Sequence, residues 1–289
     1  MQVFLQTVIG GVTFGAVYAL VALGFSLVYR TMGLVNFAHG DILMIGAYIA
    51  STFYVSSQLP FVVATVLAIV CTAVMGLVIE RFLRPLENRD FDLMLIGTIG
   101  FGIVLEAIAI MIWGATGRAV PSPVGNHPLH VFGVVVPAYD IVIIVVAAVA
   151  TVLLRLFVDH TKRGIAMQAV AMDHEHATAV GIHVGRSNAV AFAIGAGLAA
   201  LAGSLAGPLL YVSPTLGSSL GIKGFAAAVL GGFGNVKGAI VGGLVFGLIN
   251  AFAADRFQGY SEVVTFVLFA VAIVIRPTGI FGESTVNRA

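Results

Sequence analysis

The side chains with chemical potential in this sequence are a few polar residues placed directly against long apolar runs. Asn36, His39 and Asp41 lie in the segment GLVNFAHGD between two such runs, and Glu106 lies well inside another. A carboxylate inside a run of membrane-spanning length must face the interior of a helix bundle or water. These four residues are therefore candidates for the lining of a pathway, although Glu106 could equally hydrogen-bond a neighbouring helix.

A similar polar break lies between Leu220 and Gly243, where Lys223, Asn235 and Lys237 interrupt a glycine-rich apolar stretch. Transporters use interrupted helices to expose backbone groups at membrane depth. Either break alone could be an ordinary interfacial turn. One break in each half of the chain favours a pathway function.

The residues do not favour catalysis. An intramembrane aspartyl protease needs two membrane aspartates, and Asp140 is the only match, because the glycine-rich GFGN segment contains no acid. A serine enzyme built on Ser26 and His39 would lack a group to orient the histidine. A phosphate-binding loop requires G-x4-G-K-[ST], and the nearest string, GGFGNVKG, lacks that pattern. We therefore expect no catalytic residue and no cofactor in this chain.

The long polar segment 159–187 is too polar to span a membrane, yet its apolar residues recur at helical spacing. It predicts one or two short amphipathic helices, with Asp173 as an N-cap and Gly181 as a C-terminal stop. A solvated connector is the alternative. His174 and His176 are two residues apart and point to different faces of a helix, which argues against a metal site.

Composition shows which elements must position these residues. Apolar residues make up 60% of the chain and charged residues 9%, and the mean hydropathy is +1.08. A soluble domain is about 25% charged, so a soluble enzyme or a nucleic-acid binder is excluded. The sequence predicts an all-α polytopic membrane protein, with residues 1–289 forming one transmembrane domain.

A membrane helix needs about 20 mostly apolar residues, and eight stretches approach that requirement. They are Val3–Tyr29, Ile42–Ser57, Phe61–Phe82, Leu93–Trp113, Tyr139–Val158, Ala189–Leu210, Ala239–Ala254 and Val263–Ile275. A ninth piece, Phe225–Gly234, is short and glycine-rich, which favours a half-helix or re-entrant segment. Whether it crosses the membrane decides on which side the C-terminus lies. We expect the glycine pairs Gly11/Gly15, Gly203/Gly207, Gly238/Gly242 and Gly243/Gly247 to mark close helix contacts.

The basic residues predict the orientation. With the N-terminus outside, only Arg118 falls on the outer side up to the sixth span, and the positive-inside rule favours this arrangement. The inner side then collects Arg30, Arg81, Arg84, Arg89, Arg155, Lys162, Arg163 and Arg186. The first span is not expected to be a cleavable signal, because no basic residue precedes Arg30 and its apolar run is too long.

Several sequence blocks carry a specific resemblance that covers nearly the whole chain. They are the N-terminal stretch Phe4–Ala50 with its NFAHGD string, the block RGIAMQAVAMDHEHATAVGI, the block AFAIGAGLAALAGSLAG, the stretch GIKGFAAAVLGGFGNVKGAIVGGLVFG, and the terminal RPTGIFG. Together they resemble the branched-chain amino-acid ABC permeases of the LivH type.

This resemblance implies partners. A second related permease, two cytoplasmic ATPase subunits that bind ATP, and an extracytoplasmic substrate-binding protein are expected beside the lipid bilayer of a bacterial-type inner membrane. Segment 159–187 is then the cytoplasmic coupling segment, with Asp173, Glu175, Ala177 and Gly181 as ATPase-coupling residues. The pattern E-A-A-x3-G of many ABC importers is only partly present, because His176 replaces the central alanine.

The expected function is ATP-driven import of Leu, Ile or Val by alternating access. Other amino acids, amides, urea or an aromatic acid are alternative substrates. A stand-alone secondary transporter or channel is the alternative class, but the spans offer almost no charge for ion coupling besides Glu106.

Overall fold

The chain folds into a bundle of α-helices, as the hydropathy of the sequence predicts. The computed structural model describes residues 2–86, 91–125, 128–131 and 134–282. Within these ranges the helices are α1 (Gln2–Met32), α2 (His39–Ser51), α3 (Phe61–Leu83), α4 (Phe91–Trp113), α5 (Ala138–His160), α6 (Lys162–Met172), α7 (His174–Ala179), α8 (Val184–Ala206), α9 (Leu216–Gly231), α10 (Val236–Arg256) and α11 (Ser261–Ile275). A π-helical turn, Thr52–Ser56, extends α2.

Six of the described helices are long and apolar enough to cross a membrane, namely α1, α3, α4, α5, α8 and α10. Helices α9 and α11 are apolar but shorter. A short antiparallel hairpin, β1 (Pro128–Val131) with β2 (Val134–Pro137), lies in the connection between α4 and α5. The protein is therefore an all-α, multi-pass membrane protein.

Helices α1 and α8 form the centre of the bundle. Of their most apolar 18-residue stretches, 72% and 78% are buried, against 22% in both α4 and α5. The peripheral helices expose large apolar side chains, such as Val62, Ile96 and Val152. An apolar surface of this extent suits lipid rather than water.

Glycines allow α1 and α10 to approach closely, which confirms the close helix contacts predicted for Gly11/Gly15 and Gly243/Gly247. A Cβ on Gly247 would overlap the backbone of Gly15, and one on Gly15 would lie 3.0 Å from the Cα atom of Leu244. A Cβ on Gly243 would similarly meet the backbone of Ala19, 2.5 Å away. Small residues stabilise membrane helix pairs in this way because they permit close van der Waals contact.

Contacts between helix ends show which ends share a side of the bundle. Tyr29, at the end of α1, packs on Phe233 with ring centroids 4.6 Å apart. The amide of Phe281 donates to the carbonyl of Gly231 at 2.9 Å, and Nη2 of Arg84 donates to the carbonyl of Gly185 at 3.0 Å. We call this side, which also carries α6 and α7, the basic end.

The other side, here the opposite end, is defined by a different set of contacts. The indole Nε1 of Trp113 donates to Oγ1 of Thr52 at 2.8 Å, and Phe4 packs on Phe252 with ring centroids 5.5 Å apart. The amide of Arg118 donates to the carbonyl of Val212 at 2.9 Å. The start of α1 and the end of α8 therefore lie at the opposite end.

The segment from the end of α8 to the end of α9 connects the two ends. The chain leaves α8 at the opposite end, and α9 finishes at Gly231 beside the basic-end residue Phe281. The helix begins nine residues earlier than the predicted segment Phe225–Gly234, because Gly217 and Gly221 pack against the backbone of Gly40 rather than facing water. In the described part of the chain α11 consequently also finishes at the basic end.

Candidate functional site

A cavity of about 260 Å³ lies where the first turns of α2 and α9 meet α4. Helix α1 contributes one aromatic wall. The lining residues are Phe25, Phe37, Gly40, Asp41, Ile99, Gly102, Ile103, Glu106, Gly217, Ser218, Gly221, Ile222 and Phe225. Two of the four predicted pathway residues, Asp41 and Glu106, are among them.

The polar break before α2 forms this cavity by returning the chain into the bundle. His39, at the start of α2, packs on Phe25 with ring centroids 4.5 Å apart, two turns before α1 ends at Met32. Gly40 approaches so closely that an added Cβ would overlap the carbonyl oxygen of Gly217. The polar break is thus a turn at which the chain reverses direction and re-enters the bundle as α2, rather than an interruption within one helix.

The second polar break is an ordinary turn. Gly232–Asn235 connects α9 to α10 at the basic end, and the side chain of Asn235 accepts from the amides of Lys237 and Gly238 at 2.9 and 3.1 Å. Lys223 lies on α9 and pairs with Glu262 at 3.0 Å. The C-terminal half of the chain lines the cavity with residues of α9, beginning at its first turn, and not with this second polar break.

Asp41 and Glu106 face the cavity from α2 and α4. Their charges are close enough to repel each other. Glycines make room for the aspartate, since a Cβ on Gly102 would overlap its Oδ2 and one on Gly217 would lie 3.0 Å from its Oδ1. Burial works against the negative charge of Asp41, and the helix dipole, which is positive at the first turn of α2, offsets part of that cost.

Asn36 and His39 lie behind the cavity wall rather than in its lining. Asn36 is 2% exposed, and its Oδ1 accepts from the amide of Ala38 at 3.1 Å. His39 is 1% exposed, and its Nε2 has no hydrogen-bond partner within the described residues. Asn36 thus shapes the turn before α2, and His39 backs the aromatic wall.

The sequence did not indicate the aromatic part of the site. Phe25, Phe37 and Phe225 come from three separate elements, and Phe225 packs on the other two at 5.8 and 5.9 Å between ring centroids. Phenylalanine is common in apolar runs, so no local signal separates these three from the rest. The cavity combines apolar walls with two acidic groups and suits a small molecule with an apolar body and a cationic group.

The polar segment 159–187 folds as the two short helices α6 and α7. Thr161 caps α6 by accepting from the amide of Gly164 at 3.0 Å. The predicted N-cap Asp173 is confirmed, since its Oδ1 accepts from the amide of His176 at 2.9 Å. Gly181, with φ +85°, follows the end of α7 and confirms the predicted stop.

The acidic residues of α7 are accessible to a partner. Hydrogen bonds from the backbone and side chain of His176 hold the pKa of the Asp173 carboxyl below its usual value. Glu175 is exposed, whereas Ala177 is buried and fixes α7 against its neighbours. The segment therefore presents a small, locally capped helix at the basic end.

An all-α bundle of apolar helices with a partly open cavity that contains two carboxylates is compatible with a membrane transport protein. Residues 7–275 match the family described as branched-chain amino acid transport system / permease component. The chain belongs to this family.

Relatives of similar length support the assignment. The chain is 37% identical to the high-affinity branched-chain amino acid transport system permease protein BraD of Pseudomonas aeruginosa, over 99% of this chain and 98% of that protein. It is 35% identical to the corresponding protein LivH of Escherichia coli K12, over 99% and 97%. A probable LivH of Methanocaldococcus jannaschii is 27% identical over 94% and 91%.

A solved structure shares the fold. A chain of PsaBC from Streptococcus pneumoniae in complex with Fab superposes with a TM-score of 0.51 at 13% sequence identity. The superposition covers 92% of this chain and 89% of that one. At this identity the similarity concerns the fold alone.

Proposed function

We propose that the chain is a permease subunit of an ATP-driven importer of branched-chain amino acids in a cytoplasmic membrane. The observation that carries this proposal is the cavity between α2, α4 and α9, in a chain that belongs to a family of transport permeases. Substrate reaches the cavity from an extracytoplasmic binding protein and leaves to the cytoplasm.

The chemistry of the cavity fits the side chain and the ammonium group of this substrate class, whereas the described lining holds no basic residue for the substrate carboxylate. Phe25, Phe37 and Phe225 offer apolar walls to an aliphatic side chain, and Asp41 with Glu106 attracts an ammonium group. An aromatic acid with net negative charge would be repelled by the same carboxylates. Leucine, isoleucine and valine therefore fit better than an anionic substrate, and urea or an amide would leave the acidic pair without a cation.

A second permease covers the open side of the cavity in this proposal. Ile103 and Ile222, at the cavity rim, are 64% and 55% exposed. A carboxylate in the hydrocarbon region is not tolerated against lipid, so the face around Asp41 and Glu106 must meet protein or water. The face of a paired permease satisfies this requirement and encloses a pathway between the two chains.

The helix pair α6–α7 is the proposed contact for the ATPase subunits. Glu175 lies on the exposed surface of α7, Asp173 orders the first turn, and Gly181 ends the helix. Buried Ala177 transmits movement of α7 to the bundle. ATP bound by the partner favours one state of the permease pair, and this bias drives alternating access.

Uptake of radiolabelled leucine tests the pathway. In cells that express all subunits, Asp41→Asn and Glu106→Gln should each lower uptake by about tenfold, because loss of a charged partner costs about 1.4 kcal/mol or more. Asp255→Asn, at the opposite end and outside the cavity, is the matched control. Unchanged uptake in both cavity variants, at equal protein levels in the membrane, would show that the pathway lies elsewhere.

Affinity purification of the tagged chain in mild detergent separates this proposal from the stand-alone alternative. ATPase chains and a second permease should be recovered with the wild type and reduced with Glu175→Gln. If the chain is isolated alone from a detergent shown to preserve a control complex, and transports leucine with an ion gradient and no ATP, it is a secondary transporter.

A further inference from the structure

A second cavity, of about 540 Å³, lies at the basic end beneath α6. It is formed by the first turns of α6, the connection after α7 and the first two turns of α8. The lining residues are Lys162, Arg163, Ala166, Ile182, His183, Arg186, Ser187, Ala189 and Val190. We call it the basic cavity.

The charge of the basic cavity is uniformly positive. Lys162, Arg163 and Arg186 are exposed, and among the described residues none of the three forms an ion pair. No aspartate or glutamate belongs to the lining. Three unpaired cations in one concave site repel each other unless an anion occupies it.

Asp159 and Asp173, two acids of this segment, are engaged outside the basic cavity. Asp159 pairs with Arg155 at 3.4 Å and accepts from the side-chain amide of Gln168 at 3.3 Å. Asp173 is bound by His176 at the start of α7. Neither of these two carboxylates therefore belongs to the lining of the basic cavity as a counter-charge.

The position of the basic cavity relates it to the membrane surface. Lys162 lies two residues after the end of the spanning helix α5, and Arg186 lies in the first turn of the spanning helix α8. The apolar side chains of Ile182, Ala189 and Val190 form the rest of the lining. Charged residues and apolar surface thus meet where two helices leave the hydrocarbon region.

We propose that the basic cavity binds the phosphate headgroup of an anionic membrane lipid. Arginine recognises phosphate oxygens with two parallel hydrogen bonds, and lysine adds a point charge. Basic pockets between membrane helices on the cytoplasmic side are suited to such headgroups. The apolar lining accommodates the glycerol backbone and the first acyl carbons, which a soluble phosphate lacks.

The competing occupant is an acidic surface of a docked protein. The lipid is favoured because the apolar lining includes Ala189 and Val190, which lie about a turn further along the spanning helix α8 than Arg186. The exposed acidic residue Glu175 of the proposed ATPase contact lies on α7, which contributes no residue to the lining. Helix α6 belongs both to the basic cavity and to the proposed ATPase contact, so copurification of the ATPase has to be measured beside lipid binding. The proposal goes beyond the transport function.

Lipid binding to the purified full-length chain tests the proposal. In detergent micelles, the affinity for fluorescent phosphatidylglycerol should fall about 30-fold in the double variant Lys162→Gln/Arg186→Gln, because each basic residue near the surface strengthens such binding about fivefold. The matched control Arg81→Gln/Lys237→Gln removes two exposed charges from the same end outside the basic cavity. It should bind within about twofold of the wild type.

Competition identifies the chemistry of the ligand. Unlabelled phosphatidylglycerol should displace the probe, whereas phosphatidylcholine and inorganic phosphate should not. Equal affinity of the two double variants, displacement by phosphatidylcholine, or displacement by inorganic phosphate would overturn the proposal. Normal lipid binding with loss of the copurified ATPase in Lys162→Gln/Arg186→Gln would likewise overturn it and assign the basic cavity to the protein partner.

A folding control keeps the outcome interpretable. Arg186→Lys retains the charge but not the two parallel hydrogen bonds, so it should bind phosphatidylglycerol more weakly than the wild type and more strongly than Arg186→Gln. Thermal unfolding in phosphatidylcholine micelles should be the same for all variants. If Arg186→Lys and Arg186→Gln both bind as the wild type does, the headgroup does not contact Arg186 and the proposal fails.

Discussion

Gly102 makes a place for the Asp41 carboxylate, and a methyl group there competes directly with it. Gly102→Ala should displace the Asp41 carboxylate from the cavity with little loss of stability, because the end of a side chain can move. Leucine uptake should then fall by about tenfold, as for the loss of a charged partner. Gly100→Ala, on the same helix with open space around its Cβ position, should transport normally. Equal uptake by the two variants would contradict the proposed role of the carboxylate, provided that both reach the membrane in equal amounts.

Asp173 connects the order of α7 to pH. The pKa of the Asp173 carboxyl is lowered in the folded chain. Its contribution to the stability of α7 is therefore fully present above the usual aspartate pKa and is lost as pH falls through the lowered pKa. Near neutral pH, Asp173→Ala should increase amide hydrogen exchange in 174–179 at least about threefold. Asp173→Asn should have a smaller effect, because asparagine also caps helices but lacks the charge. Wild-type protection should hold from pH 8 down to about pH 5.

Individual residues show how far the sequence alone could reach. Asp41 and Glu106 were predictable, because a carboxylate beside or within an apolar run has few tolerable positions. Asn36 and His39 were selected by the same argument, but the structure places them behind the cavity wall. Asn36 accepts a hydrogen bond within the turn before α2, and His39 packs against Phe25 of the wall. Phe25 and Phe225 meet only through the tertiary fold.

Helices α1 and α10 depend on their glycines for close packing. Gly247→Ala should destabilise the protein by about 1–3 kcal/mol, because its Cβ would meet the backbone of Gly15 rather than a flexible side chain. Gly10→Ala, on α1 with nothing within 4 Å of its Cβ position, should leave stability unchanged or slightly raised. Denaturant unfolding in detergent measures the difference, and equal midpoints would show that the two helices separate easily.

The elements were largely predictable, and the exceptions have a physical cause. Long apolar runs identified the spanning helices because lipid requires a continuous apolar surface. The sequence did not predict the start of α9, because Gly217, Ser218 and Ser219 are typical of a loop. In the structure Gly217 instead lies in a helix and packs against the backbone of Gly40. The extension of α8 back to Val184 was similarly hidden by polar residues such as Arg186.

The segment from the end of α8 to the end of α9 leads the chain from the opposite end to the basic end, so we expect the two ends of the bundle to lie on different sides of the membrane. In a Cys71→Ser background, Ser57→Cys should react with a membrane-impermeant maleimide in intact cells. Lys237→Cys and Arg276→Cys should react only after lysis. Labelling of Arg276→Cys in intact cells, with Lys237→Cys protected, would show that α11 finishes on the outer side and contradict the helix-end contacts.

The packing of α1 against α10 also sets an order of events during synthesis. Gly15 and Gly247 touch in the finished protein but are separated by most of the chain. A ribosome that adds roughly 5–20 residues per second needs roughly 10–50 s to make the sequence between them. Helix α1 therefore waits through this interval for its neighbour α10, with its small-residue face not yet covered by that helix. A nascent chain released before α10 lacks the pairing on which its central helix depends.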